Sequence, residues 1–353
     1  MNNLSGSTSA SFETDTTAST KASARKRFFT EVTPGIILCL AVGAVCMLIN
    51  HFFSSVSALL MAIVLGALWR NLAPVPHVFE AGVGFSAKKL LRLGIIFLGF
   101  QLSLGSIIAL GPGVLLVVVL SVVVTFLLTA WIGKLMGLDL EQRLLIAIGF
   151  SICGAAAVAG AEGTVKAKEH EVATAVGLVV LFGTLMIPAM PALGLFLGLD
   201  DRGIGMLVGA STHEVAQVVA GAGSVSAAAL AVAVTVKLAR VLLLAPVVAG
   251  VGVYLRGKHK VQGEKTPPLV PLFILGFLAA VVLRTTIDLP EGFLTSASTV
   301  QTLLLSAAMS ALGLGVHLRS IFSAGMKSLL LGLVATLIII TVAASGTLLF
   351  SPA

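Results

Sequence analysis

The chain has 353 residues, of which 58% are hydrophobic and only 10% are charged. A soluble domain carries about 25% charged residues, so this composition excludes a protein that is surrounded by water. The net charge of +7 could suit a nucleic acid. However, the basic residues lie at the ends of apolar segments and in short loops, a pattern typical of membrane topology. We therefore predict an all-α polytopic membrane protein with the lipid bilayer, and no nucleic acid, as a partner.

Residues 1–33 are rich in Ser, Thr and Ala and contain a basic cluster between Lys21 and Arg27. This composition predicts a disordered N-terminal tail on the cytoplasmic side, followed by a single transmembrane domain over residues 34–353. A signal peptide is the alternative. The apolar run after the basic cluster is long for one, and no convincing small-residue cleavage site follows it.

Glycine, proline and charged residues divide the rest of the chain into about eleven apolar segments, which we predict to be transmembrane helices. The predicted segments are residues 34–50, 56–70, 91–111, 113–133, 143–165, 171–198, 204–223, 226–255, 269–287, 297–318 and 327–350. With eleven crossings and the basic tail on the cytoplasmic side, most basic loops also fall on the cytoplasmic side. Lys166 and Lys168 are the exception, because eleven crossings place them outside.

An internal sequence echo suggests a repeat. Residues 98–116 align without gaps with residues 312–330, and eight positions are identical. The predicted topology gives the two copies opposite directions, which is the mark of the inverted repeats found in many secondary transporters. Chance similarity between Leu-, Gly- and Ser-rich segments is the alternative.

A second echo relates Gly149 and Ser151 to Gly209 and Ser211, at a spacing of 60 residues. Eleven crossings give these two segments the same direction, so this echo does not fit an inverted repeat. One simple tandem repeat does not accommodate both echoes.

The stretch GFSICGAAAVAGAEG (149–163) is unusually rich in Gly and Ala. Close helix packing is one interpretation, because small residues let helices approach each other. The functional interpretation is a broken helix, whose exposed backbone N–H groups and Ser151 hydroxyl could bind an anion with help from the half-helix dipole.

The stretch from Gly209 to Arg240 places several polar and ionisable residues within an apolar region. They are Ser211, Thr212, His213, Glu214, Gln217, Lys237 and Arg240. At 1.5 Å per residue from a turn near Ser224, Glu214 lies about 16 Å deep, Lys237 about 18 Å and Arg240 about 22 Å. Glu214 and Lys237 could therefore pair, which would leave Arg240 for an anionic substrate. A buried ion pair without a substrate role is the alternative.

The sequence contains few features of a metal site, a cofactor site or an enzyme active site. His213 and Glu214 are too few ligands for a metal site, and the cysteines have no metal-binding spacing. No catalytic triad, Walker motif or dinucleotide fingerprint occurs. We expect no cofactor and no enzymatic activity, although an intramembrane enzyme that uses His213 and Glu214 as acid and base remains an alternative.

Three stretches together resemble a known family. LLRLGIIFLGFQLSL, GFSICGAAAVAGAEG and GASTHEVAQVVAGAG, in this order, are similar to the YeiH-type sulfate exporter family of bacterial inner-membrane proteins. The resemblance covers nearly the whole chain after residue 30. It implies a transporter of small anions and, more distantly, the group of bile-acid, arsenite and riboflavin transporters, with a panel domain, a core domain and two crossing broken helices.

We therefore expect a secondary transporter that moves a small inorganic or organic anion, such as sulfate or a sulfonate, by alternating access. The expected substrate-binding residues are Ser151, Ser211, Thr212, Lys237, Arg240 and Gln101, and the residues expected to couple transport to a proton or sodium ion are Glu214, His213 and Gln217. A passive anion channel and a membrane protein with no flux of its own are the alternatives. A homo-oligomer is left open.

Overall fold

The computed structural model describes residues 31–53, 57–258, 272–315 and 325–350. Within these ranges the regular structure is helical and no β-strand occurs. The prediction of an all-α polytopic membrane protein is confirmed. Most of the predicted N-terminal tail and much of the second copy of the 98–116 echo lie outside the described residues.

Sixteen α-helices are present in the described ranges. The first eight are α1 (Thr33–Phe52), α2 (Ala58–Leu72), α3 (His77–Phe85), α4 (Leu91–Leu98), α5 (Leu104–Ile108), α6 (Pro112–Leu135), α7 (Leu140–Ser151) and α8 (Ala155–Val165). The others are α9 (Glu169–Phe196), α10 (Asp201–Ser211), α11 (Val215–Gly223), α12 (Ala227–Leu242), α13 (Leu244–Lys258), α14 (Leu272–Thr286), α15 (Glu291–Leu314) and α16 (Met326–Phe350). A π-helical turn, Ser86–Leu90, joins α3 to α4.

Each of the eleven apolar segments predicted from the sequence coincides with one helix or with two consecutive helices. In the described residues, six helical stretches are long and apolar enough to cross a membrane: α1, α6, α9, the continuous α12–α13, α15 and α16. Helices α2 and α14 are shorter and apolar. Two predicted segments, 143–165 and 204–223, are broken into the pairs α7–α8 and α10–α11.

The helices form two bundles. Helices α1 to α4 pack with α14 and α15 in the first bundle, and helices α6 to α12 pack with α16 in the second. Small residues allow close approach in the first bundle. A methyl group on Gly66 of α2 would lie only 3.0 Å from the Leu314 backbone nitrogen of α15. The resemblance to transporters with a panel domain and a core domain implied this kind of division.

The sides of the molecule follow from contacts between helix ends. We call the side on which α1 begins the near side, and the opposite side the far side. Gly35, in the first turn of α1, packs against Gly82 of α3 on the near side. On the far side, the end of α1 and Gln101, just after α4, border one cleft together with the first turns of α15.

The pair α7–α8 is a helical hairpin that opens on the near side. A methyl group on Gly149 would lie 2.7 Å from Val158 Cγ2, whereas nine residues of a straight helix span about 13 Å. The chain therefore turns back between the two helices. At the end of α8, Glu162 forms a 2.8 Å ion pair with Lys88, which lies in the π-helical turn at the near side.

The pair α10–α11 is a second hairpin, and it opens on the far side. A methyl group on Gly221 would lie 3.6 Å from Val208 Cγ1, although thirteen residues of straight helix span about 20 Å. Near the start of α10, Arg202 Nη2 donates a 3.4 Å hydrogen bond to the Leu110 carbonyl, just before α6. That carbonyl lies on the far side, because the chain reaches it shortly after Gln101.

The two hairpins change the topology derived from the sequence. Helix α9 has 28 residues, about 42 Å of helix, and carries the chain from the near hairpin to the far one. Nine of the eleven segments therefore run from one side to the other, and two turn back. Lys166 and Lys168, placed outside by eleven crossings, instead lie on the near side with the start of α1. The exception to the positive-inside pattern disappears.

With the two hairpins in place, each sequence echo relates segments that run in opposite directions. The near hairpin breaks at residues 152–154 and the far hairpin at residues 212–214, which keeps the 60-residue spacing of the second echo. Because the two hairpins open on opposite sides, this pair is inverted, and the assignment of the same direction was wrong. The first echo relates the end of α4 through the start of α6 to the end of α15 through the start of α16. In the first copy these elements come before the near hairpin, whereas in the second copy they come after the far hairpin.

Candidate functional site

The tips of the two hairpins meet in the middle of the second bundle. Glu214 Oε1, at the far tip, accepts a 3.0 Å hydrogen bond from the backbone N–H of Ala155, the first residue of α8. Gly154, at the near tip, has a φ of +75°, a conformation that favours glycine. A methyl group there would collide with Glu214 Cγ. The sequence thus permits the close approach of the two tips.

Arg240 of α12 binds backbone carbonyls from both hairpins. Its Nη1 donates to the carbonyls of Gly209 and Thr212, at 3.2 and 3.1 Å, and its Nη2 donates to the Ser151 carbonyl at 2.7 Å. These carbonyls lie at the C-terminal ends of α10 and α7, where the helix dipole is negative. The guanidinium group is fully buried and neutralises two half-helix ends at once.

Lys237 lies one turn before Arg240 on α12 and makes an equivalent connection. Its Nζ donates to the carbonyls of Ile152, at 2.8 Å, and Thr212, at 2.7 Å. Lys237 is also fully buried. Both cations predicted to bind substrate therefore have backbone carbonyl partners within the described residues, and these bonds join the two hairpins.

Glu214 has the complementary role at the two helix N-termini. Besides accepting from Ala155, its side chain accepts the backbone N–H of Gln217, and Gln217 Oε1 accepts the Glu214 N–H at 3.0 Å. This reciprocal arrangement is a capping box at the start of α11. The carboxylate thus satisfies N–H groups of α8 and α11, whose N-terminal ends carry partial positive charge.

The predicted pair between Glu214 and Lys237 is not formed. The described residues contain no ion pair between these side chains, because each is turned toward a different set of backbone groups. The depth estimate assumed two straight antiparallel helices. The break after Ser211 reorients Glu214 toward the near hairpin.

The hydroxyl groups of this region divide into two kinds. The Ser151 and Ser211 hydroxyls donate to carbonyls of their own helices, at 3.4 and 2.7 Å. The Thr212 hydroxyl is buried and has no hydrogen-bond partner in the described part of the chain. The same holds for His213 Nδ1, Gln217 Nε2 and Arg240 Nε. Such groups are uncommon in native structures, and a bound water or ion is one usual explanation.

His213 connects the far tip to α16. Its Nε2 lies 3.2 Å from Thr336 Oγ1, which also donates to the Gly332 carbonyl at 2.9 Å. The His213 ring packs against Phe150, with ring centroids 4.6 Å apart. Thr336 was not identified from the sequence. A threonine in the middle of a strongly apolar helix was the only signal available.

Gln101, the sixth predicted substrate-binding residue, is not part of this cluster. It is exposed and lines a polar far-side cleft of about 540 Å³, with Asn50, His51 and hydroxyl-bearing residues of α15. The sequence echo that suggested Gln101 gives its register along α4 but not its distance from α12. Its expected contact with a substrate held at the hairpin tips is not supported by its position.

A narrow cleft, which we call the central cleft, separates the hairpin tips from the first bundle. Its walls include Cys153 and Glu214 at the tips, and Ile95, Leu305 and Met309 from α4 and α15. The space in which a water molecule fits is about 40 Å³, and one water needs roughly 10 to 15 Å³ by this measure. The cleft can therefore accommodate a few water molecules in this arrangement. No group of three or more His, Cys, Asp or Glu residues in the described ranges could hold a metal ion.

Comparisons with known proteins relate this chain to a family of membrane proteins. The family model described as conserved hypothetical protein 698 matches residues 34–332. A UPF0324 membrane protein from Corynebacterium glutamicum is 49% identical over 318 residues, covering 90% of this chain and 92% of that protein. UPF0324 membrane proteins from Pseudomonas aeruginosa and Agrobacterium fabrum are 39% and 33% identical, covering 85% and 93% of this chain and 89% and 95% of their own lengths. These names describe membrane proteins, so sulfate export stays a prediction.

Proposed function

This chain belongs to the conserved hypothetical protein 698 family of membrane proteins, and from that premise we propose that it is a secondary transporter of a small anion such as sulfate or a sulfonate. The protein lies in the bacterial inner membrane, with its near side and N-terminus in the cytoplasm. It has no enzymatic activity of its own.

The observation that carries the proposal is the meeting of two hairpins that enter from opposite sides. A ligand held between their tips can be reached from either side when the tips or the bundles move. Secondary transporters built on inverted repeats place their substrate at such broken helices near the membrane midplane. The contact between Glu214 and Ala155 marks this meeting point.

An anionic substrate suits the charges at this point. Lys237 and Arg240 bring two buried cations, against the single carboxylate of Glu214. The central cleft is also lined by Ala156 and Val215, in the first turns of α8 and α11. Helix N-termini favour anions, since their free N–H groups and dipoles point toward the ligand. The proposed hydrogen-bonding hydroxyl groups are those of Ser151, Ser211 and Thr212, which lie where the two hairpins break.

Glu214 occupies the position that an anion would take between the two helix N-termini. In our mechanism, the arriving anion displaces this carboxylate and accepts the hydrogen bonds that it held. The displaced Glu214 then takes up a proton, which couples anion movement to proton movement. His213 and Gln217 border this exchange, and each has one buried polar atom without a partner among the described residues.

The approach from the far side is marked by polar residues. Helix α15 lines the polar far-side cleft with Thr302 and the central cleft with Leu305. On the facing helix, Gln101 and Leu98 occupy the same two clefts. Three residues of helix correspond to about 4.5 Å, so one apolar layer separates the clefts. Leu98 and Leu305 both belong to the first bundle and line the central cleft opposite the hairpin tips, so a rearrangement of this layer would connect the two clefts.

The test is counterflow of radiolabelled anions in proteoliposomes that contain the full-length protein. We expect saturable uptake of one member of a panel of sulfate, sulfonates and carboxylates, stimulated by the same unlabelled anion inside. Glu214→Gln should uncouple this exchange from a pH gradient, and Asp288→Asn, an exposed loop variant, should behave like the wild type. Conductive, unsaturable flux would identify a channel. Lack of flux for every anion tested would refute the proposal.

A further inference from the structure

A membrane-facing groove lies at the near-side end of the second bundle, away from the hairpin tips. Helices α6, α7 and α13 form its walls, and its volume is about 350 Å³. Among the residues that line it are Trp131, Lys134, Arg143, Leu144, Gly250 and Tyr254. It combines an apolar wall with two cationic side chains and three aromatic residues, Phe126, Trp131 and Tyr254.

The position of the groove corresponds to the edge of a membrane leaflet. It lies where α6 ends and α7 begins, on the same side as the opening of the near hairpin. Trp131 is 57% exposed, and tryptophan and tyrosine are typical of the level of lipid headgroups. The residues around it, such as Leu127, expose apolar surface that faces the acyl chains.

Arg143 is built into this groove rather than extended into water. It is only 9% exposed, although it lies in the first turn of α7. Its aliphatic stem packs against α6 where Gly133 leaves room, and a methyl group on Gly133 would lie 2.7 Å from Arg143 Cβ. Arg143 Nε is buried and has no hydrogen-bond partner within the described ranges.

The charge in the groove is not balanced by the neighbouring acidic residues. Asp139 and Glu141 lie near Arg143 in sequence, yet neither forms an ion pair with it in the described part of the chain. Lys134 is exposed at the same end of the groove. A buried guanidinium nitrogen without a hydrogen-bond partner is costly, so an anion in the groove would stabilise Arg143.

We propose that this groove binds an anionic phospholipid of the near-side leaflet. The phosphate lies between Arg143 and Lys134, and one acyl chain follows the apolar wall past Leu144 and Gly250. Basic pockets between transmembrane helices are known to select anionic headgroups. The proposal concerns a site distinct from the hairpin tips and does not depend on transport.

The experiment measures which phospholipids remain bound to the purified full-length protein. The protein is exchanged in detergent with an equimolar mixture of phosphatidylglycerol and phosphatidylcholine, and the retained lipid is identified by native mass spectrometry. We expect phosphatidylglycerol to be retained preferentially. Lys134→Gln should reduce the preference about fivefold, since one basic residue near an anionic surface contributes about a factor of five. Lys89→Gln is the matched control.

A second variant separates the groove from general charge effects. Gly250→Leu places a side chain in the groove without altering any charge, and a methyl group on Gly250 meets nothing within 4 Å. It should abolish the preference for phosphatidylglycerol, whereas Gly257→Leu, also in open space on α13, should not. Equal retention of both lipids by the wild type would overturn the proposal. So would a Gly250→Leu variant that retains lipid normally but changes the oligomeric state.

Discussion

The near and far hairpins share one backbone design but differ in chemistry. Both break after a serine, and the breaks keep a spacing of 60 residues. The near tip reads Ile152-Cys153-Gly154, whereas the far tip reads Thr212-His213-Glu214. The ionisable carboxylate and imidazole groups of the tips therefore belong to the far hairpin alone. The near hairpin contributes backbone carbonyls and N–H groups.

The cations of the site follow the same asymmetry. Lys237 and Arg240 lie on α12, which packs along the far hairpin: a methyl group on Gly209 would lie 2.9 Å from Val236 Cβ. Their hydrogen bonds nevertheless reach carbonyls of both hairpins. Two inverted backbones therefore create a meeting point between the two sides, while the charged side chains at this point come from the far hairpin and α12.

The largest expected effect concerns the sides on which the hairpins open. A membrane-impermeant maleimide applied to intact cells should label Ser224→Cys, at the far side, and leave Lys168→Cys unlabelled until the cells are permeabilised. The native thiols Cys39, Cys46 and Cys153 are buried, so the wild type provides the unlabelled control. Eleven full crossings would place both positions outside, and equal labelling of the two variants in intact cells would contradict the hairpins.

The next effect concerns the bridge between the hairpins. Arg240→Met removes the donors of three hydrogen bonds to the ends of α7 and α10, each worth roughly 1.5 to 3 kcal/mol because the donor is charged. We expect the midpoint of thermal denaturation in detergent to fall by on the order of 10 °C. Lys89→Met, an exposed cation in the π-helical turn, should shift the midpoint little. An unchanged midpoint for Arg240→Met would mean that the hairpins do not depend on this bridge.

Much of the fold could be predicted from the sequence because apolar segments and their punctuation determine where helices lie. The break near Ser151 was also foreseeable, since Gly and Ala are dense there and Gly154 permits a positive φ. The direction of the chain after each break was not foreseeable. Hydrophobicity gives the position of a segment in the bilayer, but a segment of about 23 residues can cross as one helix or return as two half-helices.

The clustering of buried polar residues could be predicted from the sequence, but their hydrogen-bond partners could not. Buried ionisable residues are costly in a membrane, and this cost correctly singled out Glu214, Lys237 and Arg240 as neighbours of one cluster. Their partners are backbone atoms of the hairpin ends, which a sequence does not display. The position of Gln101 apart from this cluster was not foreseeable for a related reason, because an echo gives the register of a residue and not its distance from another helix.

A smaller effect is expected at the near tip, where Gly154 occupies the position that corresponds to Glu214 in the far tip. Gly154→Ala should lower the free energy of unfolding by about 2 to 4 kcal/mol, because alanine is strained at positive φ and its methyl group meets Glu214 and Val179. Gly163→Ala is the matched control, since a methyl group there meets nothing within 4 Å. The control should be neutral or slightly stabilising in the same thermal denaturation assay. A neutral Gly154→Ala would indicate that the tips are not in close contact.

The smallest expected effect concerns the attachment of the near hairpin to the first bundle. Lys88 and Glu162 form a 2.8 Å ion pair in which Lys88 is 47% exposed and Glu162 is 16% exposed. Partly exposed pairs of this kind contribute at most about 1 kcal/mol. A double-mutant cycle with Lys88→Gln and Glu162→Gln should therefore give a coupling energy below that value, decreasing at high salt.

The proposed alternating access requires that the ion pair between Lys88 and Glu162 be weak. If the second bundle moves against the first, the Lys88–Glu162 pair must break and re-form in each transport cycle. Within the described ranges, the far hairpin forms no corresponding ion pair that would need to break. We expect Lys88→Gln to change anion counterflow by less than about fivefold, since about 1 kcal/mol corresponds to about a fivefold change in rate. A coupling energy of several kcal/mol together with faster counterflow in the variant would show instead that this attachment limits the movement of the bundles.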